Sequence, residues 1–304
     1  MNNISLFLTS VLIWGSTWIM ITYQLGTVEP MVSVVYRFSL ASLILFTYCF
    51  IRGKRFRYSA QVHRLIFLQG ILLFGFNYWL TYYGVTKIPS ALAAILSTSI
   101  VYFSVIFARI FLKDAIRKEV IVGATIGVFG VVLIFLPELS FNDSVHKTWQ
   151  GVGLILCGSM IASLGGIVSA KTQRLNVPVI QANALGMGYA AGFLAIVALI
   201  SGREFHFEYS LTYVGSLVYL ALFGSVLAFG AFLTLLGKIG PDKAGYVSLV
   251  YPVIAMIIST FFENYHWTLE GLLGLFCILI GNFIAMGKYR NLGAYRRFRQ
   301  KTNN

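Results

Sequence analysis

Charge is what this sequence has little of. Only 11% of its residues are Asp, Glu, Lys or Arg, against about 25% in a soluble domain. So few charges cannot cover a 304-residue globule, which sets a soluble enzyme aside. Acids are the scarcest, ten against 23 lysines and arginines. None of the ten, and none of the four histidines, lies well inside an apolar stretch. Proton pumps bury such groups mid-membrane, so a buried carboxylate relay is not expected. A metal centre and a Ser-His-Asp set are unsupported on the same ground. No G-x-x-x-x-G-K-[ST] stretch occurs, which argues against direct ATP drive. No cofactor is expected. The cysteines, Cys49, Cys157 and Cys277, are three and scattered. They make no disulfide framework and read as small core residues.

Apolar residues are plentiful, at 58%, which excludes disorder. They come in blocks of about 20, the length that crosses a bilayer core as a helix. Ten blocks stand out: 4–22, 31–51, 64–84, 90–111, 120–136, 151–170, 180–201, 213–236, 244–262 and 271–287. The expected fold class is therefore all-α integral membrane, with ten transmembrane helices. The first block lacks a positive n-region and an A-x-A site, so it reads as a helix rather than a cleaved signal.

The net charge of +13 would suggest nucleic acid on a soluble protein. Here the cations sort by topology instead. Connections on one side carry 19 lysines and arginines; those on the other carry Lys87, Lys147 and Arg203. The positive-inside rule then places both termini in the cytoplasm. A multi-pass plasma membrane protein, the inner membrane in a bacterium, is expected, with no nucleic-acid partner. The tail 289–304 is basic, and Arg296, Arg297 and Arg299 offer a contact for anionic lipid. Nothing here fixes an oligomeric state.

An internal repeat runs at an offset of 151 residues. Lys87-Ile88 falls on Lys238-Ile239, Ser97 on Ser248 and Glu119 on Glu270. Gly123 falls on Gly274, and Gly130 on Gly281. Each copy holds five helices, 1–137 and 151–288. Five is odd, so the second copy enters the membrane from the opposite side, as in secondary transporters. Small residues at every fourth position read as close helix packing. They are Gly158, Ala162, Gly166 and Ala170, with Gly123/Gly127 and Gly188/Gly192.

Arg37 is the one cation well inside a helix. Such a charge faces the protein interior or a cavity. Two readings stand: a guanidinium fork for a carboxylate or phosphate, or a side chain snorkelling outward or bonding helix carbonyls. The other intramembrane polar and aromatic residues are Trp14, Trp18, Tyr36, Asn77, Tyr78, Thr98, Tyr102, Gln181, Asn183 and Tyr251, with Asn282 in the last helix. Rings give apolar walls with a polar tip, and amides give donors and acceptors. A wall of this kind suits a small amphipathic metabolite.

Helix one reads I-W-G-S-T-W at 13–18, and helix two Y-R-F-S-L-A at 36–41. The later helices read Y-L-A-L-F-G-S-V-L-A-F from Tyr219, K-I-G-P-D-K-A-G-Y-V-S-L-V-Y-P-V-I-A from Lys238 and G-L-F-C-I-L-I-G from Gly274. The chain resembles the drug/metabolite transporter superfamily, of EamA type, over nearly its whole length. The resemblance implies ten helices in two EamA repeats, cytoplasmic ends and a central cavity. It implies carriage of amino acids, amines, carboxylates, sugars or drugs, often outward, and no enzymatic step. It supports Trp14 and Arg37 near the cavity, and Pro252 as a helix break. The family's Gly-Glu reads Lys113-Asp114 in one repeat and Asn264-Tyr265 in the other, and Val101 stands opposite Pro252. The expectation is a carrier for an amino acid or related amine or carboxylate, working by alternating access. Nucleotide-sugar or drug/quaternary-amine transport is the alternative within the fold. A membrane-embedded lipid enzyme is the alternative outside it.

Overall fold

The computed structural model describes residues 2–112, 118–135, 145–239, 246–263 and 267–286. Among them there is no strand, and all their regular structure is helical. The helices are α1 Asn3–Thr22, α2 Pro30–Ile51, α3 Ala60–Gly70, α4 Asn77–Val85, α5 Ser90–Ser97, α6 Ile100–Leu112 and α7 Lys118–Phe135. They continue as α8 Val145–Arg174, α9 Val179–Ile200, α10 Leu211–Tyr219, α11 Ala228–Ile239, α12 Val247–Phe262 and α13 Leu269–Met286. Among the described residues, seven helical stretches are long and apolar enough to span a membrane; Val247–Phe262 and Leu269–Ala285 are apolar but shorter. Large apolar side chains stand outward, Phe50, Ile200, Leu211 and Phe261 among them. A surface of that kind is stable only against lipid. The basic tail and the Lys113-Asp114 and Asn264-Tyr265 pairs lie outside the described residues.

Helix starts are set by side-chain caps that the apolar blocks do not reveal. Asn2 accepts from Ser5 N at 2.7 Å, Ser59 from Val62 N, and Ser210 from Tyr213 N. Each satisfies an N–H that the helix itself leaves unpaired. The third and eighth blocks therefore begin earlier than their apolar residues, at Ala60 and Leu211. The sixth block is far longer than 151–170, because no proline or cap interrupts Val145–Arg174.

Three irregularities were not expected. A π-helical segment, Ile71–Phe76, joins α3 to α4, and another, Leu220–Leu227, joins α10 to α11. In each the backbone bonds run i→i+5 rather than i→i+4, a local widening often found at functional sites. The fourth block breaks at Thr98-Ser99. Ser97 Oγ donates to Ala94 O and Thr98 Oγ1 to Ile95 O, both at 2.7 Å. Hydroxyls that bond nearby carbonyls compete with the backbone ladder. The break expected at Pro252 is absent: α12 runs through it. Proline removes one N–H and one bond, and burial of Tyr251 and Ala255 beside it holds the rest of the helix.

The helices pack in pairs. α2 lies along α9, α7 along α13, α1 along α12 and α11, and α8 along α4 and α6. Of the cysteines, Cys49 is core, but Cys157 stands exposed on α8, so its reading as core is corrected.

Candidate functional site

Glu29 caps α2, and Pro30 follows at its first turn, where a missing N–H costs nothing. Two turns on, Arg37 is 1% exposed. It does not snorkel. Its Nε donates to Ser225 Oγ at 3.1 Å, and its Nη1 lies 3.4 Å from Tyr82 OH. Its Cζ sits 4.5 Å from the centre of the Tyr78 ring and 5.3 Å from that of Phe38. Guanidinium over a ring face is attractive, the more so away from water.

The π segment makes room for this cation. Ser225 Oγ accepts from Arg37 and donates to Leu220 O, five residues back, at 3.0 Å. At Gly224, a side chain would meet Arg37 Nη2 at 3.1 Å and Thr17 Cγ2 at 2.8 Å. Glycine there lets the guanidinium lie against the backbone.

The bonds have a fixed direction. Arginine only donates, so Tyr82 OH accepts from Arg37 and passes its own proton to Gln24 Oε1, at 3.1 Å. Gln24 is fully buried, and its Nε2 has no partner. Beside it, Ser33 Oγ bonds Tyr213 OH at 3.0 Å and lies 3.4 Å from Gln24 O.

An aromatic wall adjoins the cation. Trp14 Nε1 donates to Gly224 O at 3.4 Å. Its ring lies 5.1 Å from Phe229, 4.9 Å from Phe232 and 6.4 Å from Tyr251. Phe74 meets Phe229 at 5.2 Å and Phe38 at 5.4 Å. Tyr251 OH bonds Ser97 Oγ at 2.6 Å, tying α12 to α5. Trp18 is half-buried and packs against both apolar clusters.

Trp14, Arg37, Tyr78 and Tyr251 thus fall together, with Trp18 alongside. Others do not. Tyr36 turns away: its hydroxyl donates to His206 O at 3.2 Å and its ring meets Phe205 and Phe207. Gln181 Nε2 donates to Arg55 O at 2.7 Å and pins the connection after α2. Tyr102 donates to Gly123 O at 3.1 Å, inside the α7–α13 contact. Asn77 bonds Leu73 O and borders Gly158 of α8. Thr98 is buried at the α5–α6 break. Asn183 is buried with Oδ1 unpartnered, as are both amide atoms of Asn282. Gln24, Tyr82, Gly224 and Ser225 were missed. The i, i+4 spacing of Tyr78 and Tyr82 puts both on one helix face, and that was the available signal.

No carboxylate approaches Arg37 among the described residues. The ion pair found there is Arg203–Glu29, at 4.0 Å, near the start of α2. No group of three or more His, Cys, Asp or Glu is placed to hold a metal among the described residues.

The model of the EamA-like transporter family matches residues 1–136 and 149–287. The chain is 27% identical over 285 residues to the "Uncharacterized inner membrane transporter YedA" of Escherichia coli K12, covering 91% of this chain and 89% of that one. It is 26% identical over 298 residues to "Protein PagO" of Salmonella typhimurium LT2, covering 98% and 97%. It is 24% identical over 276 residues to the "Uncharacterized transporter YoaV" of Bacillus subtilis 168, covering 90% and 92%. A crystal structure superposes with a TM-score of 0.67 at 17% identity, over 93% of this chain and 96% of the other. That likeness concerns the fold.

Proposed function

The chain belongs to the EamA-like transporter family, and from that premise we propose that it carries a small carboxylate-bearing metabolite across the membrane by alternating access. Amino acids and related carboxylates form the substrate class, and export is the proposed direction. The observation that carries this reading is Arg37, a buried cation that meets only neutral partners among the described residues. Burying an unpaired charge is costly, and a substrate carboxylate offsets that cost when bound. Trp14, Trp18, Tyr78 and Tyr251 wall the same region.

Alternating access here uses two inverted repeats, 1–137 and 151–288. Several features support the arrangement. The two π segments sit at matching places, since Ile71 shifted by 151 residues falls inside Leu220–Leu227. Gly123 lies against Gly281, and Gly130 against Gly274. Exchanging the repeats turns one glycine pair into the other. Exchange likewise turns the α1–α12 contact into that of α8 with α6. The bias of lysine and arginine towards one set of connections supports cytoplasmic termini.

Flux into proteoliposomes tests the function. Purified protein is expected to give saturable, counterflow-stimulated movement of at least one labelled amino acid or carboxylate. Empty vesicles should show none. A full panel without protein-dependent flux overturns the reading. Topology has its own test: a reporter active only when exported is expected to stay inactive after Asn304. Activity there would invert the orientation.

A further inference from the structure

The geometry points to a substrate that is a monoanionic carboxylate with an apolar body and no ammonium group. This narrows the carrier reading above and rests on it. The first observation is a surplus of donors. Arg37 has five N–H donors; Nε meets Ser225, Nη1 meets Tyr82, and the Tyr78 hydroxyl is a third neutral partner, which leaves donors over. Gln24 Nε2 is a second buried donor, and it has no partner. The Arg37–Tyr82–Gln24 chain links the two through contacts of 3.4 and 3.1 Å. Because the hydroxyl proton must run towards Gln24 Oε1, the amide nitrogen is the end left over. A carboxylate has about four lone-pair sites and no proton to give. It suits this set of groups.

The second observation is that nearby acceptors are already engaged. Gly224 O takes Trp14 Nε1, Leu220 O takes Ser225, and Gln24 Oε1 takes Tyr82. An ammonium brings three donors and would have to share acceptors that already hold a partner.

The third concerns anions. Glu29 lies eight residues up α2, about 12 Å at the helical rise. It is held by Val32 N, Tyr83 OH and Arg203. Glu263 accepts from Ser90 and Ser259, where the end of α12 meets the start of α5. Glu119 and Glu270 stand in first turns of α7 and α13. Glu204 and Glu208 are exposed or nearly so, between α9 and α10. None of these described acids faces the cation. An ammonium bound here would sit beside Arg37 with no protein carboxylate to face it among the described residues, and like charges repel strongly away from water. The rest of the wall is Trp14, Phe74, Phe229 and Tyr78, which suits an apolar body.

Binding to the intact protein in detergent, followed by calorimetry at neutral pH, separates the classes. The probes are 3-phenylpropionate, phenylalanine and phenethylamine, which share a ring and differ in charge. The carboxylate is expected to bind about tenfold or more tightly than the zwitterion, and the amine not to bind. Phenylalanine binding as tightly as 3-phenylpropionate would overturn the inference and leave the carrier reading standing. Binding of none of the three would also overturn it, and the flux panel then decides the carrier reading by itself. Gln24→Glu supplies a second arm. It sets a carboxylate near Arg37 at nearly constant volume. It is expected to weaken 3-phenylpropionate at least tenfold while phenylalanine is unchanged or gains. Equal binding of 3-phenylpropionate by both proteins would count against the proposal.

Discussion

Arg37→Ala is expected to lower substrate flux by about a hundredfold or more while the protein still folds. The two halves of that statement have separate causes. Hydrogen bonds to a charged group are worth about 1.5–3 kcal/mol each, and 1.4 kcal/mol is a factor of ten. Losing a two-pronged contact to a carboxylate therefore removes about two decades of affinity. Folding survives because of where the protons point. Ser225 keeps its own bond to Leu220 O, and Tyr82 keeps its own to Gln24 Oε1. Truncating Arg37 orphans no donor, and it removes a buried charge whose desolvation opposed folding. That gain offsets the cavity left by the largest of the fully buried side chains, so the melting temperature should change little. Arg37→Lys keeps the charge but not the planar fork, so flux should fall between the two, by about tenfold. Wild-type flux in both variants, at normal membrane levels, would reduce Arg37 to a structural residue.

Gly281→Ala should do the reverse, striking the fold far from the cation. A methyl group there runs into Gly123 O and meets Gly127 N at 2.9 Å and Tyr102 OH at 3.0 Å. Two of these are backbone atoms of α7, so relief requires the helices to separate. Such overpacking costs about 1–3 kcal/mol, occasionally more. The expected result is a lower melting temperature and a smaller monodisperse fraction on extraction. Gly192→Ala is the matched control. Nothing lies within 4 Å of a methyl group at that position. Alanine is the better helix former by about 1 kcal/mol, so Gly192→Ala should be neutral or stabilising. If Gly192→Ala proved the more damaging, the α7–α13 crossing described above would be wrong.

These two glycines show what could be read in the sequence. Gly192 belongs to a small-residue pattern and Gly281 to the glycines in register between the repeats, but only Gly281 of the two lies at a backbone crossing. Periodicity says that a face is smooth; it does not say which neighbour uses it. The apolar blocks and the family were legible because twenty apolar residues in a row have few other fates. Arg37 was legible as the lone intramembrane cation. Its partners were not. Gln24 lies just past the first block, where it reads as part of a connection. Ser225 sits in an apolar run, and only the wider π turn aims it at Arg37. A wider turn leaves no mark on composition. The break at Thr98 was hidden for a related reason, since three hydroxyl residues in a row lack the signature of Gly or Pro.

That break and Pro252 differ in permanence. The donor missing at Pro252 is lost covalently, so α12 keeps one gap in its ladder in every conformation. The gap between α5 and α6 is held by the hydroxyls of Ser97 and Thr98, whose bonds to Ala94 O and Ile95 O a rotamer change can break. Ser97 is already engaged with Tyr251 as well as with Ala94 O. Two levers of like layout thus carry unlike joints. One is notched for good, and the other can in principle be annealed into a straight rod and bent again, with the hydroxyl shared with Tyr251 as its catch.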